Sequence, residues 1–214
     1  LPNLKRRREL AAKNVLGGRP TREGTAITDV MFMASRDGQR FFVWPEAIVR
    51  PGIQRPGSWF YGGTRNAWGL VETSSSIDGA PRELSMYITE NARQKTPRRV
   101  RRHTFRIDGF SSVHASLHGG ELLTKPLIFD AGRLEINFST SAGGSLRVEI
   151  QDKDGKPFDG FTLADCNLQY GDQLDRVILW RSGADVSKLV GKPARLRIEF
   201  KDADLYSFQF TTKE

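Results

Sequence analysis

Leu134-Glu135-Ile136-Asn137-Phe138-Ser139-Thr140-Ser141-Ala142-Gly143-Gly144-Ser145-Leu146-Arg147-Val148-Glu149-Ile150 is the stretch that decides the fold. Leu134, Ile136 and Phe138 alternate with Glu135 and Asn137, and Leu146, Val148 and Ile150 alternate with Arg147 and Glu149. A period of two belongs to a strand with one face buried and the other wet. The stretch therefore predicts two strands, 134–138 and 146–150. Downstream, Asp154-Gly155 reads as a turn and 158–163 leads into a loop. Val177, Leu179 and Trp180 predict a strand, Leu196, Ile198 and Phe200 another, and Tyr206, Phe208 and Phe210 the last. Only 185–189 suggests a helical turn. Short strands divided by Gly, Asp and Pro turns predict an antiparallel β-sandwich of jelly-roll-like character.

Moving upstream, strands are expected at 29–34 and 40–44, joined by a tight turn at Asp37-Gly38. A long loop at 45–63 follows, then strands at 68–72, 83–88 and 99–107. Residues before 25 are polar and basic, and only 10–16 suggests a short helix. The reading is all-β: a basic arm at 1–24, a strand-rich region at 25–108, and the sandwich at 109–214. The middle region has few core aliphatics for an independent domain. Its strand pairs suit blades of a β-propeller, and one or two blades cannot close a ring. The chain is thus expected to be a fragment.

The chain has 214 residues, 38% of them hydrophobic, and a net charge of +8. No apolar run approaches the roughly 18 residues of a membrane span, so no membrane association is expected. The opening residues are basic and lack an apolar segment, so no signal peptide is read. The single Cys166 precludes an internal disulfide and a multi-cysteine zinc site, and suits a packed small hydrophobe. Basic residues gather at 5–8 and 93–106, but without the interleaved aromatics of a nucleic-acid surface. Nucleic acid is not an expected partner. Kinase, serine hydrolase and thiol protease motifs do not occur.

Asp29-Val30-Met31-Phe32-Met33-Ala34-Ser35-Arg36-Asp37-Gly38, Glu46-Ala47, Arg50-Pro51-Gly52, Trp68-Gly69 and Glu83-Leu84-Ser85-Met86-Tyr87 resemble a known pattern. Arg101-Arg102-His103-Thr104 and 106–115 continue it. The resemblance is to the late blades of planctomycete-type five-bladed propeller proteins that are similar to glycosyl hydrolases of families 32 and 43. Gly119-Gly120-Glu121-Leu122, 142–150, Gly160-Phe161, Asp165-Cys166, Gly171-Asp172, Trp180, Gly191-Lys192-Pro193 and 202–208 resemble the β-sandwich appended to those propellers. The match runs collinearly over about 25–210. It implies the C-terminal portion of a secreted or periplasmic glycosidase-like protein, with carbohydrate or polysaccharide and the upstream blades as partners. Propeller glycosidases draw several carboxylates from early blades, so this chain is not expected to hold a complete catalytic set. The resemblance implies no cofactor.

Glycoside hydrolysis needs two carboxyl groups flanking the bond. Glu72 and Glu90 are the catalytic candidates, with Glu83 behind them, and general acid is the natural role. Asn66, Trp68 and Tyr87 suit a sugar subsite, because an aromatic face stacks on a pyranose and an amide bonds hydroxyls. Trp68 and Tyr87 equally suit core positions between blades. In the sandwich Tyr206, beside Asp204, is the candidate surface aromatic. Trp180 and Tyr170 complete a conceivable platform, although Trp180 suits packing better. Asp152, Asp154 and Asp159 lack the spacing of a calcium loop, and Gly119-Gly120 argues against a helix carrying His114, His118 and Glu121, so no metal is expected. His103 lies in a basic strand and needs no special role. Two alternatives stand beside the glycosidase-like reading: a non-catalytic sandwich interaction module, and polyanion binding through the arginines at 98–102.

Overall fold

The structure is a computed structural model, which describes residues 28–53, 64–90 and 97–212 together with Lys5, Arg8 and Glu9. The expected helix at 10–16 and the far half of the long loop lie outside these residues. The chain divides into two compact units, Leu1–Phe105 and Arg106–Glu214. Both are built from antiparallel sheets, and no sheet closes on itself among the described residues. The protein is all-β.

In the first unit, β1 (Val30–Ser35) and β2 (Phe41–Val49) form a two-stranded hairpin. Its turn is closed by Asp37, whose Oδ1 accepts the backbone N–H groups of Gln39 at 2.9 Å and Arg40 at 2.8 Å, with Gly38 at φ 71°. These same bonds hold the Asp37 carboxyl below its ordinary range, that from Arg40 foremost. β2 runs on through Pro45 to Val49, where a loop was expected. The register shifts between Met31 and Met33, so Pro45 falls at an irregularity, where a missing N–H costs the ladder nothing.

The second sheet of this unit is centred on β5 (Glu83–Glu90). It is flanked by β3 (Arg65–Asn66) and β4 (Val71–Thr73), and it also pairs with β6 (Arg99–Arg106). The expected strand at 68–72 is displaced. Gly69 sits at φ 82° and breaks the extended run, so pairing begins only at Val71. Met86 and Ile88 are the buried hydrophobic residues on β5, and Ser85 and Tyr87 point to the other face.

The second unit contains β7 (Val113–Ala115), β8 (Gly120–Leu123), β9 (Arg133–Asp152), β10 (Asp172–Val177) and β11 (Ala194–Thr211). The two strands expected around Gly143-Gly144 form one long β9, and the last two expected strands form one long β11. Residues 145–152 of β9 pair with 194–201 of β11, and 133–140 pair with 203–211. Between these halves 141–144 stand opposite Asp202 alone. Asp202 takes φ 42°, and a Cβ on Gly144 would lie 2.3 Å from its carbonyl oxygen. The chain therefore bends here without leaving the ladder. On its other edge β11 pairs first with β8 and then with β7, while β10 pairs with the first half of β9.

One hydrophobic cluster fills this unit. Leu134, Ile136, Phe138, Leu146, Val148, Ile150, Leu196, Ile198 and Phe200 point into it from the sheet. The connection between β9 and β11 adds Phe161, Trp180, Val186 and Leu189. Trp180, expected in a strand, takes part only in isolated bridges, to Cys166 and Gly183. Its ring is 2% exposed, meets Phe161 edge-on at 5.2 Å, and donates Nε1–H to the Val148 carbonyl at 3.0 Å. A single 3-10 turn, Ser187–Leu189, stands where one helical turn was expected.

The polar face of β9 is less wet than alternation predicts. Glu135, Asn137, Glu149 and Gln151 are all buried. Each is satisfied, as burial of polar groups demands. Glu135 accepts from Gln209 at 3.2 Å and Thr211 at 2.8 Å. Glu149 accepts from Gln151 at 2.8 Å and from the Leu163 N–H at 3.1 Å.

Candidate functional site

The sugar-subsite candidates of the first unit meet on the sheet around β5. β3 pairs Asn66 with Ile88, and the Ala67 N–H donates to the Tyr87 carbonyl at 2.7 Å, which ties the segment bearing Trp68 to β5. Trp68 is fully exposed, at 102%, and Tyr87 is 39% exposed. Neither aromatic is buried among the described residues. Asn66 is exposed, and its amide donates to the Ala67 carbonyl at 3.5 Å.

Beside Tyr87 on the same face of β5 lies a polar network that residue-by-residue reading missed. The Ser85 and Thr73 hydroxyls share a hydrogen bond of 2.7 Å, because β4 places Thr73 beside Glu83 and Val71 beside Ser85. Arg102 on β6 binds them together. It donates to Ser85 at 2.7 Å, to Thr73 at 2.9 Å, to the Ser74 carbonyl at 2.9 Å, and to the Glu83 carboxylate. The opposite face carries Glu90, which Arg101 meets at 2.8 Å and His103 Nε2 approaches at 3.9 Å. Glu72 is exposed and paired with Arg82. Each carboxylate proposed for catalysis thus closes a salt bridge with an arginine, and Glu83 does the same.

In the second unit Tyr206 lies in a bulge, since the register shifts between Leu205 and Ser207. Alternation turns Tyr206 away from the core face that Leu205 takes, and the extra residue of the bulge returns Phe208 to that face. One face of its ring is covered by the Arg106 guanidinium, 4.7 Å from the centroid, and its hydroxyl meets Ser139 Oγ at 3.3 Å. Arg106 is a clasp that the sequence did not announce. It donates to Asn137 Oδ1 at 2.6 Å, to the Phe138 carbonyl at 3.0 Å, to the Gln173 carbonyl at 2.7 Å and to Asp172. Asp204 accepts from Ser112 at 2.7 Å and contacts His114 Nδ1 at 3.2 Å. Tyr170 is exposed, whereas Trp180 belongs to the core.

The outer face of β8, β11 and β9 carries a groove of about 450 Å³ lined by His118, Glu121, Ser145, Arg147, Glu199 and Lys201, among others. Arg197 bridges its acidic side, meeting Glu121 and Glu199 each at 2.8 Å and Glu149 at 3.6 Å. The bond to Glu121, foremost among these contacts, raises the guanidinium above its ordinary range.

No group of three or more His, Cys, Asp or Glu residues suited to a metal ion occurs among the described residues. Asp152 is a turn-closer: it accepts the N–H groups of Lys156 and Asp154, each at 2.9 Å. Cys166 is buried, takes the Val148 N–H at 3.3 Å, and donates to the Asn167 carbonyl at 3.3 Å. Burial pushes its thiol up, which disfavours the nucleophilic thiolate. No helix of the described residues is long and apolar enough to cross a membrane. Comparison with protein-family models, with curated proteins and with solved structures returns no match.

Proposed function

We propose that the chain recognises carbohydrate, as the C-terminal portion of a secreted glycosidase-like protein. On this reading 25–108 holds late propeller blades and 109–214 is a jelly-roll-like sandwich that serves as support or binds glycan. The observation that carries the reading is the full exposure of Trp68, on the segment that follows β3, together with the exposure of Tyr87 on β5. Trp and Tyr are enriched at interfaces, where an apolar ring and a polar handle can both find partners. Beneath the face of β5 that carries Tyr87, the buried Ser85 belongs to a polar network that fixes the sheet rather than to a surface open to a ligand.

Binding is favoured over hydrolysis by this chain alone. Glu72 and Glu90 each engage an arginine through Oε1. Hydrolysis needs two carboxyl groups flanking one bond, and propeller glycosidases draw several of their carboxylates from early blades. Polyanion binding through β6 gains little support, because Arg101 and Arg102 are spent on Glu90 and Glu83. The test is a glycan array probed with the intact chain at low and moderate salt, with DNA and heparin as comparators. Carbohydrate stacking predicts retention of a neutral glycan as salt rises, whereas phosphate or sulfate contacts weaken steeply. Binding confined to polyanions at low salt would refute the proposal.

A further inference from the structure

We infer that the groove on the outer face of β8, β11 and β9 is a subsite for a carboxylate-bearing sugar. It extends the carbohydrate reading to a second site, and it stands on residues the Trp68 face does not use. The register places its chemistry. Glu199 is paired with Arg147 on one side and Glu121 on the other, and Lys201 with Ser145, so these five side chains share one face. Leu146, Val148, Ile198 and Phe200 take the opposite, buried face.

The charges within this row are unequally satisfied. Glu121 and Glu199 both bind Arg197 at 2.8 Å. Arg147 and Lys201 are exposed and form no ion pair among the described residues. They are diagonal neighbours across the ladder, a spacing of about 7–8 Å between Cα atoms, with the Ser145 hydroxyl beside them. Two cations and a hydroxyl at that distance fit one carboxylate, and a guanidinium presents a fork to it. Glu121 and Glu199 then offer acceptors for ring hydroxyls. A volume of about 450 Å³ suits a ligand of one or two sugar rings. The same carboxylates disfavour a nucleic acid, whose successive phosphates would be brought against them.

The test titrates the intact chain calorimetrically with trisaccharides of galacturonate, glucuronate and mannuronate, a neutral galactose trisaccharide, and a thymidine oligonucleotide. The inference expects at least one uronate to bind about tenfold or more tighter than the neutral sugar. It expects the pair Arg147→Gln and Lys201→Gln to lose about tenfold or more of that affinity with the melting temperature unchanged. Trp68→Ala should leave it intact. Uronate affinity unchanged in the double variant, matched by the neutral sugar or the oligonucleotide, or lost in Trp68→Ala would overturn the assignment. So would failure of all three uronates to bind. A chain that holds neutral glycan through Trp68 but no uronate would sink this inference and leave the first reading standing.

Discussion

Single residues in this protein are governed by whether their polar atoms find partners. Cys166 is enclosed, hydrogen-bonded and made less acidic by burial. Native protein should therefore resist iodoacetamide at mildly alkaline pH and react once unfolded; rapid native alkylation would contradict the burial. Asp152 illustrates the opposite shift. The Lys156 N–H above all, then that of Asp154, holds its carboxyl below the ordinary value of 3.8. Because the folded state favours the charged form, the stabilisation is present above 3.8 and lost as pH falls through the lower folded value. Asp152→Asn should thus be less stable than the parent at neutral pH, with the gap narrowing in urea titrations at acid pH. A gap that widened there would show the sign to be wrong. At this scale the sequence was legible in part. The Asp-Gly context announced the turn, but nothing local could show that Arg106 would gather Asn137, Asp172 and two carbonyls, since its partners lie 31 to 67 positions away.

At the scale of elements, the alternation of 134–138 and 146–150 predicted extended chain on both sides of Gly143-Gly144. The two expected strands leave 139–145, with its pair of glycines, outside them. That segment is instead the place where β9 passes close to the Asp202 carbonyl and continues. Continuity across a bulge depends on the partner strand, and pattern within one strand is blind to it. Gly144→Ala should be destabilising by about 1–3 kcal/mol, because the new Cβ meets the backbone oxygens of Asp202 and Lys201 and the Cβ of Thr140, none of them the free end of a flexible side chain. Chemical denaturation would measure it; a loss under about 0.5 kcal/mol would mean the bend tolerates a side chain. The same reasoning explains the misplaced strand at Trp180. Its apolar neighbours satisfied the period, but the indole was drawn into the core to meet Phe161 and the Val148 carbonyl.

For the whole molecule, the distribution of core residues separates the two units. Every member of the single large hydrophobic cluster lies between Ala115 and Leu205, whereas the buried hydrophobics of the first unit are Met86 and Ile88 among the described residues. Local opening follows the density of buried contacts. Limited proteolysis should therefore cut within Leu1–Phe105 first and leave a resistant piece close to Arg106–Glu214; early cleavage inside β9 or β11 would contradict this. The all-β class was legible from period and turn residues, which are local signals. The candidate site was legible only as a set of residue types. Asn66, Trp68 and Tyr87 were nameable, yet their exposure and their junction through the Ala67–Tyr87 hydrogen bond depend on pairing between β3 and β5.

Whether the exposed aromatics recognise carbohydrate is decided by comparing the parent chain with Trp68→Ala on neutral glycans at two salt concentrations. The parent is expected to retain a defined glycan at both concentrations, and the variant to lose about tenfold or more of that affinity, with the fold of both intact. Equal binding by the two proteins, or parent binding that vanishes as salt rises, would contradict the proposal.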